Sequence, residues 1–125
     1  IEAKVSSKPV FYDFLQAFLL ELTERGQTEF PIERRKWHAA FYTAIKTGLI
    51  PACRTEMTIF PYVHNLEEGI YRLMQAGHIS QRDIDKYSIT DINTLKRRQD
   101  CFEADQQDRL KETAKYICDR ILETS

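Results

Sequence analysis

Residues 73–80 read LMQAGHIS. Leu73 and Met74 close an apolar helical pattern, and Gly77 is a helix-ending residue that accepts a left-handed backbone. Ile79 then opens a short alternating segment. After a charged tip at 81–86 (QRDIDK), Tyr87 and Ile89 alternate around Ser88. This predicts a helix that runs directly into a β-hairpin, with strands near 78–81 and 86–90 and with Ile79 and Ile89 facing each other.

Upstream, Asn65 is a candidate N-cap with Glu68 as its capping-box partner. Leu66, Ile70, Leu73 and Met74 form the expected buried stripe of this third helix. An earlier helix carries Phe11, Phe14, Leu15, Phe18, Leu19 and Leu22 at helical spacing, with Ser7 as cap, Pro9 in its first turn and Gly26 at its end. A second helix opens at Pro31, buries Trp37, Ala40, Phe41, Ala44 and Ile45, and closes at Gly48. Residues 49–64 are irregular, with Pro51 and Pro61 as breakers and a short strand expected at 57–60. Asp91 caps a helix bearing Ile92 and Leu95. A last helix covers about 104–123, with Leu110, Ala114, Ile117 and Ile121 on one face and an outer Asp105–Arg109 pair. All four glycines are expected at caps or turns.

The order is helix, helix, linker, helix, hairpin, helices. It predicts a mostly α (α+β) fold, a winged-helix-like helical core with a small two-stranded β-hairpin and a packed C-terminal helix. One domain over 1–125 is expected, and Ile1 in place of Met suggests a longer parent chain. The segment Phe60-Pro61-Tyr62-Val63-His64-Asn65-Leu66, followed by EEGIYRLMQAGHI, resembles the Panacea (SocA-like) family of antitoxin and proteolytic-adaptor domains. That family places a G-P-Y-S-type segment before a helix ending in L-x-x-x-G-[LI]; here Phe60 stands for the glycine. The resemblance spans residues 12–90 and implies a winged-helix-like fold and a protein partner: a toxin, a client or a protease component.

The totals narrow the function classes. Of 125 residues, 42% are hydrophobic and 30% charged, ordinary for a globular chain. Lys plus Arg number 18 against 19 Asp plus Glu, so any nucleic-acid role needs a local basic patch. Arg34, Arg35 and Lys36 form one cluster and Lys96, Arg97 and Arg98 another; Arg72 lies late in the third helix. These are the candidate DNA contacts, and solvated faces are the plainer account of them. The third helix begins Asn65-Leu66-Glu67-Glu68, and its carboxylates suit a helix dipole but not phosphate. Three cysteines without C-x-x-C spacing point to the cytoplasm rather than to a disulfide framework. No apolar run is long enough for a membrane span.

Cys53, His64 and His78 have no metal-ligand spacing, and no metal or cofactor is expected. Cys53 or Cys101 with His38 or His64 lacks any accompanying nucleophile motif, so catalysis is not expected. Cys118 falls on a buried helix face and Trp37 in the core. Tyr62, between Pro61 and a helix start, is divided between core and contact. The favoured function is protein recognition through the 49–64 linker, the third helix start and the wing, with Tyr62, His64, Asn65, Arg72, Arg82 and Lys86 as contact residues. DNA-binding regulation is second. A homodimer through the last helix is open, its apolar stripe being equally satisfiable within one chain.

Overall fold

Phe14, Leu15, Phe18 and Leu19 recur on one face of the first helix, and each is at most 1% exposed. In the computed structural model they are the centre of the core, and α1 spans Phe11–Glu24. Residues 9–27, 29–31, 34–51, 53, 55–57, 59, 61–81 and 86–123 are described. The other elements are β1 (Glu29–Pro31), α2 (Arg34–Lys46), β2 (Thr55–Met57), β3 (Pro61–Val63), α3 (His64–Gln75), β4 (Ile79–Gln81), β5 (Lys86–Ile89), α4 (Ile92–Asp100) and α5 (Ala104–Glu123). The fold is mostly α with small antiparallel sheets. No helix among the described residues is long and apolar enough to cross a membrane.

The helix α1 packs on α5, α4 and α3, and α2 packs on α5 and β3. Trp37 is buried in this interior, edge-on to Phe18 at 4.9 Å. Leu110, Ala114 and Ile117 of α5 are at most 1% exposed within the single chain. Their stripe is therefore occupied without a second copy. Arg109 does not pair with Asp105. Its guanidinium donates to the carbonyls of Gly48 and Leu49 at 3.3 and 3.4 Å, tying α5 to the end of α2.

The 73–80 joint forms as expected. Gly77 takes φ +82°, a conformation open to glycine at little cost. Ile79 lies opposite Ile89, and Ser80 opposite Ser88. Thr90 donates its backbone N–H to His78 O at 2.8 Å and its hydroxyl to Gly77 O, closing the hairpin base. The hairpin has a third strand. β1 pairs with β5, Glu29 against Ser88, and the sheet order is β1-β5-β4.

Several boundaries differ from the sequence expectation. α1 begins at Phe11, with Pro9 before it, and Asp13 Oδ2 accepts the Val10 N–H at 2.9 Å; Ser7 lies outside the described residues. Pro31 ends β1 instead of opening α2. β2 and β3 pair antiparallel as a second hairpin, with Thr55 opposite Val63 and Met57 opposite Pro61. α3 starts at His64, one residue ahead of Asn65, and Val63 is its cap. Gly69 is neither cap nor turn. It sits inside α3, where a Cβ would come within 2.6 Å of Leu15 Cδ2, so the Leu15 side chain of α1 packs directly on the α3 backbone there.

Candidate functional site: the clamped 55–63 hairpin

The second hairpin is held from below by a histidine. His38 belongs to the buried face of α2, next to Trp37, and is 3% exposed. Its Nδ1 accepts the backbone N–H of Val63 at 2.9 Å. That bond leaves the ring proton on Nε2, which donates to Glu67 Oε1 at 2.9 Å. The imidazole also stacks on the Tyr62 ring, with centroids 4.6 Å apart and planes at 15°. One side chain thus fixes the end of β3, its aromatic residue and the first turn of α3.

The arrangement continues outward. Tyr62 meets the His64 ring edge-on at 4.9 Å. His64 Nε2 lies 3.1 Å from Glu56 Oε1, a close approach that misses hydrogen-bond alignment. Glu67, His38, Tyr62, His64 and Glu56 form a continuous ladder from α3, through α2, to β2. Tyr62 is half-buried in it, so it serves the core on one side and the surface on the other.

Above this clamp the hairpin carries apolar side chains into solvent. Met57 is 59% exposed and Ile59 94%. Tyr71, farther along α3, is 61% exposed, and its hydroxyl accepts from Gln75 Nε2 at 3.0 Å. Isolated exposed apolar residues are ordinary; two on one short hairpin with a rigid base are less so.

The sequence-predicted contact residues divide. Tyr62 and His64 are together in the ladder. Asn65 and Arg72 share a shallow cleft of about 140 Å³ between α3 and the start of α1, where the Arg72 guanidinium lies 4.3 Å from the Tyr12 ring centroid. Lys86 begins β5 opposite Pro31, in the other sheet. Arg82 and Phe60 lie outside the described residues.

The candidate DNA contacts are dispersed. Arg35 is exposed and Lys36 half-buried in the first turn of α2; the Arg34 side chain lies outside the described set. Arg98 turns toward α1: its Nε is 3.4 Å from Asp13 Oδ1, and its guanidinium covers Phe102 at 5.1 Å. Lys96 lines a cleft of about 300 Å³ with Leu20, Glu24, Asp100 and Lys111, between α1, α4 and α5. Arg97 is exposed on α4. Arg98 and Lys96 thus adjoin α1, whereas Arg72 lies in the cleft beside α3.

Both nitrogens of His38 are committed to Val63 and Glu67. Cys118 is fully buried, its thiol 3.9 Å from Phe18 O, and burial pushes its pKa up to about 12. Burial also raises the Cys53 thiol. His78 Nδ1 faces Asp91 Oδ2 at 3.5 Å. The Asp91 carboxylate is held below its usual range chiefly by hydrogen bonds from Thr94. Among the described residues, no three His, Cys, Asp or Glu side chains converge as a metal site.

Sequence reasoning missed His38 as an organiser. The available signal was a histidine among Trp37, Ala40 and Phe41, on a face that has to be buried. A buried imidazole needs partners for both nitrogens, but their identity follows only from tertiary contact. Neither a family model, nor a curated protein, nor a solved structure matches the chain.

Proposed function

We propose that this chain is a non-catalytic recognition module that binds another protein through the 55–63 hairpin and the adjoining start of α3. The observation that carries this reading is the exposure of Met57 and Ile59 on a hairpin clamped by His38. A strand whose backbone is already anchored has less freedom to lose on binding, so more of the burial of its apolar side chains goes to affinity. The half-buried Tyr62 and the nearby carboxylates Glu56 and Glu67 supply the polar surround usual at an interface. The resemblance to the antitoxin and adaptor family makes a toxin, a client or a protease component the first partner class to test.

The test compares wild type with a Met57→Asp, Ile59→Asp double variant as baits in extract from the native host. Any captured protein is then purified and titrated directly against both. Saturable binding to wild type that the double variant loses supports the proposal. Equal binding by both places recognition elsewhere and overturns it.

A second reading is DNA-binding regulation by a winged helix. The helix–hairpin joint at Gly77 and the strand order β1-β5-β4 favour it. The dispersal of Arg72, Lys96 and Arg98 and the carboxylates at the start of α3 weigh against it. Mixed-sequence duplex DNA at about 50 and 200 mM salt separates the two. Tight binding that collapses at the higher salt supports the regulator; no binding at either salt removes it.

A further inference from the structure

We infer that His38 is a proton-operated latch: protonation of its imidazole releases the end of β3, and mild acid thereby weakens recognition at the hairpin. The inference rests on the recognition reading above and adds the regulation of that same surface.

The geometry admits one occupant at a time. His38 Nδ1 has a single lone pair in the ring plane, and the Val63 N–H takes it at 2.9 Å. A proton on Nδ1 turns this acceptor into a donor, and two N–H groups then point at each other. Turning the ring over does not help, since both nitrogens of an imidazolium donate. His38 is 3% exposed and Val63 0%. The Val63 N–H therefore regains a partner only if the end of β3 moves outward. Val63 lies opposite Thr55, and Pro61 opposite Met57, so that movement loosens the strand that carries Met57.

A buried imidazole without a counter-charge resists protonation. Glu67 of α3 supplies one: its Oε1 stands 2.9 Å from Nε2 and accepts from a neutral ring or pairs with a cationic one. A proton thus keeps the bond to α3 and cancels the bond to β3. Tyr62 of β3, stacked at 4.6 Å, offers its π face to either form. His64 of α3 and Glu56 of β2 stand beyond Tyr62. Arg109 of α5 is engaged at the far end of α2, with Gly48 and Leu49. His64 acts in the opposite sense. Protonated, it pairs with Glu56 and ties β2 to α3, so the two histidines have to be followed separately.

The experiment uses the full chain, isotope-labelled, by NMR from about pH 8 to about pH 5, the range in which imidazoles ordinarily titrate. Ring signals report the protonation of each histidine. Amide exchange, expressed relative to the intrinsic rate at each pH, reports protection of Val63 and, in the core, of Leu15 and Leu19. The expected result is that Val63 loses about tenfold or more of its protection along the protonation curve of His38, while Leu15 and Leu19 keep theirs. His64→Gln should leave that curve in place. Glu67→Gln removes the counter-ion, so release should need more acid. His38→Asn sets an amide oxygen near the Nδ1 position and takes up no proton, so Val63 protection should become flat in pH.

His38 neutral down to about pH 5 overturns the inference, as does Val63 still protected beside a protonated His38. So does a release that vanishes in His64→Gln, or one shared by Leu15 and Leu19, which is general acid unfolding. These readings need no partner. Equal capture by wild type and the Met57→Asp, Ile59→Asp variant sinks recognition at the hairpin and leaves the proton-driven release standing. With a captured partner, affinity at about pH 5.5 should be about tenfold or more below that at about pH 7.5. Release of Val63 with unchanged affinity overturns the regulatory role.

Discussion

His38 Nδ1 accepts the Val63 N–H across the interface between α2 and the 55–63 hairpin, at 2.9 Å. This is a buried bond between residues distant in sequence, and no water replaces it cheaply. His38→Ala leaves the Val63 N–H unsatisfied, an effect of about 1–3 kcal/mol, and removes the support of Tyr62 as well. The expected outcome in urea denaturation is a loss of at least about 2 kcal/mol. Amide exchange should accelerate most at Val63 and its neighbours. A variant with unchanged exchange there would show that His38 is not the clamp.

Gly69→Ala tests the close approach of α3 to α1. Alanine is the better helix former by about 1 kcal/mol, so an unconstrained site gains stability. Here the added methyl meets Leu15 Cδ2 at 2.6 Å, and Leu15 has no exposed space to move into. Overpacking of this kind costs about 1–3 kcal/mol. The net expectation is destabilisation, partly rescued by Leu15→Val in the same chain. Stabilisation by Gly69→Ala would contradict the contact.

The Asp13–Arg98 contact separates residues of one basic cluster by role. Asp13 is 6% exposed and also accepts the Val10 N–H. Asp13→Ala should therefore cost about 1–2 kcal/mol through the lost cap alone. The Arg98 side chain is 47% exposed, so Arg98→Ala should cost below about 1 kcal/mol. Arg97→Ala, on exposed α4 surface, should leave the thermal midpoint unchanged. Equal midpoints for all three variants would remove Arg98 from the fold contacts.

Cys118 predicts a loss of stability in alkali. Its thiol is raised from 9.0 to about 12 by burial, so the folded chain retains a proton that the unfolded chain releases. The stabilising contribution is complete below pH 9 and is lost as pH rises toward about 12. Denaturation midpoints across that window should fall more steeply for wild type than for Cys118→Ala. Iodoacetamide at neutral pH should leave Cys118 unmodified until the chain is unfolded.

The legible parts of this fold are those decided by local periodicity. Phe11 to Leu22 announces α1, and Leu110 to Ile117 announces α5, because each stripe repeats over several turns. The Gly77 joint is legible because glycine, helix end and strand start are contiguous. β1 is not: Glu29-Phe30-Pro31 is three residues long, contains proline, and is a strand only because β5 lies beside it. The 55–63 hairpin was obscured by Pro61, a breaker in isolation. It is harmless where its absent N–H has no partner to lose. Asn65 yielded the helix start to His64 because His38 supplies Val63 with a tertiary partner. The site was half legible for the same reason. Tyr62 and His64 stood out by position, whereas Glu56 and His38 join them only through folding.

Val63 ends β3 and caps α3, so hairpin and helix share a residue with no linker between them. A joint without slack cannot act as a hinge. Whatever seats on the hairpin thereby grips the axis of α3, which is wedged on α1 at Gly69. Contact at Met57, paired with Pro61 of β3, is mechanically in series with the centre of the molecule, and a load applied there is borne by the core.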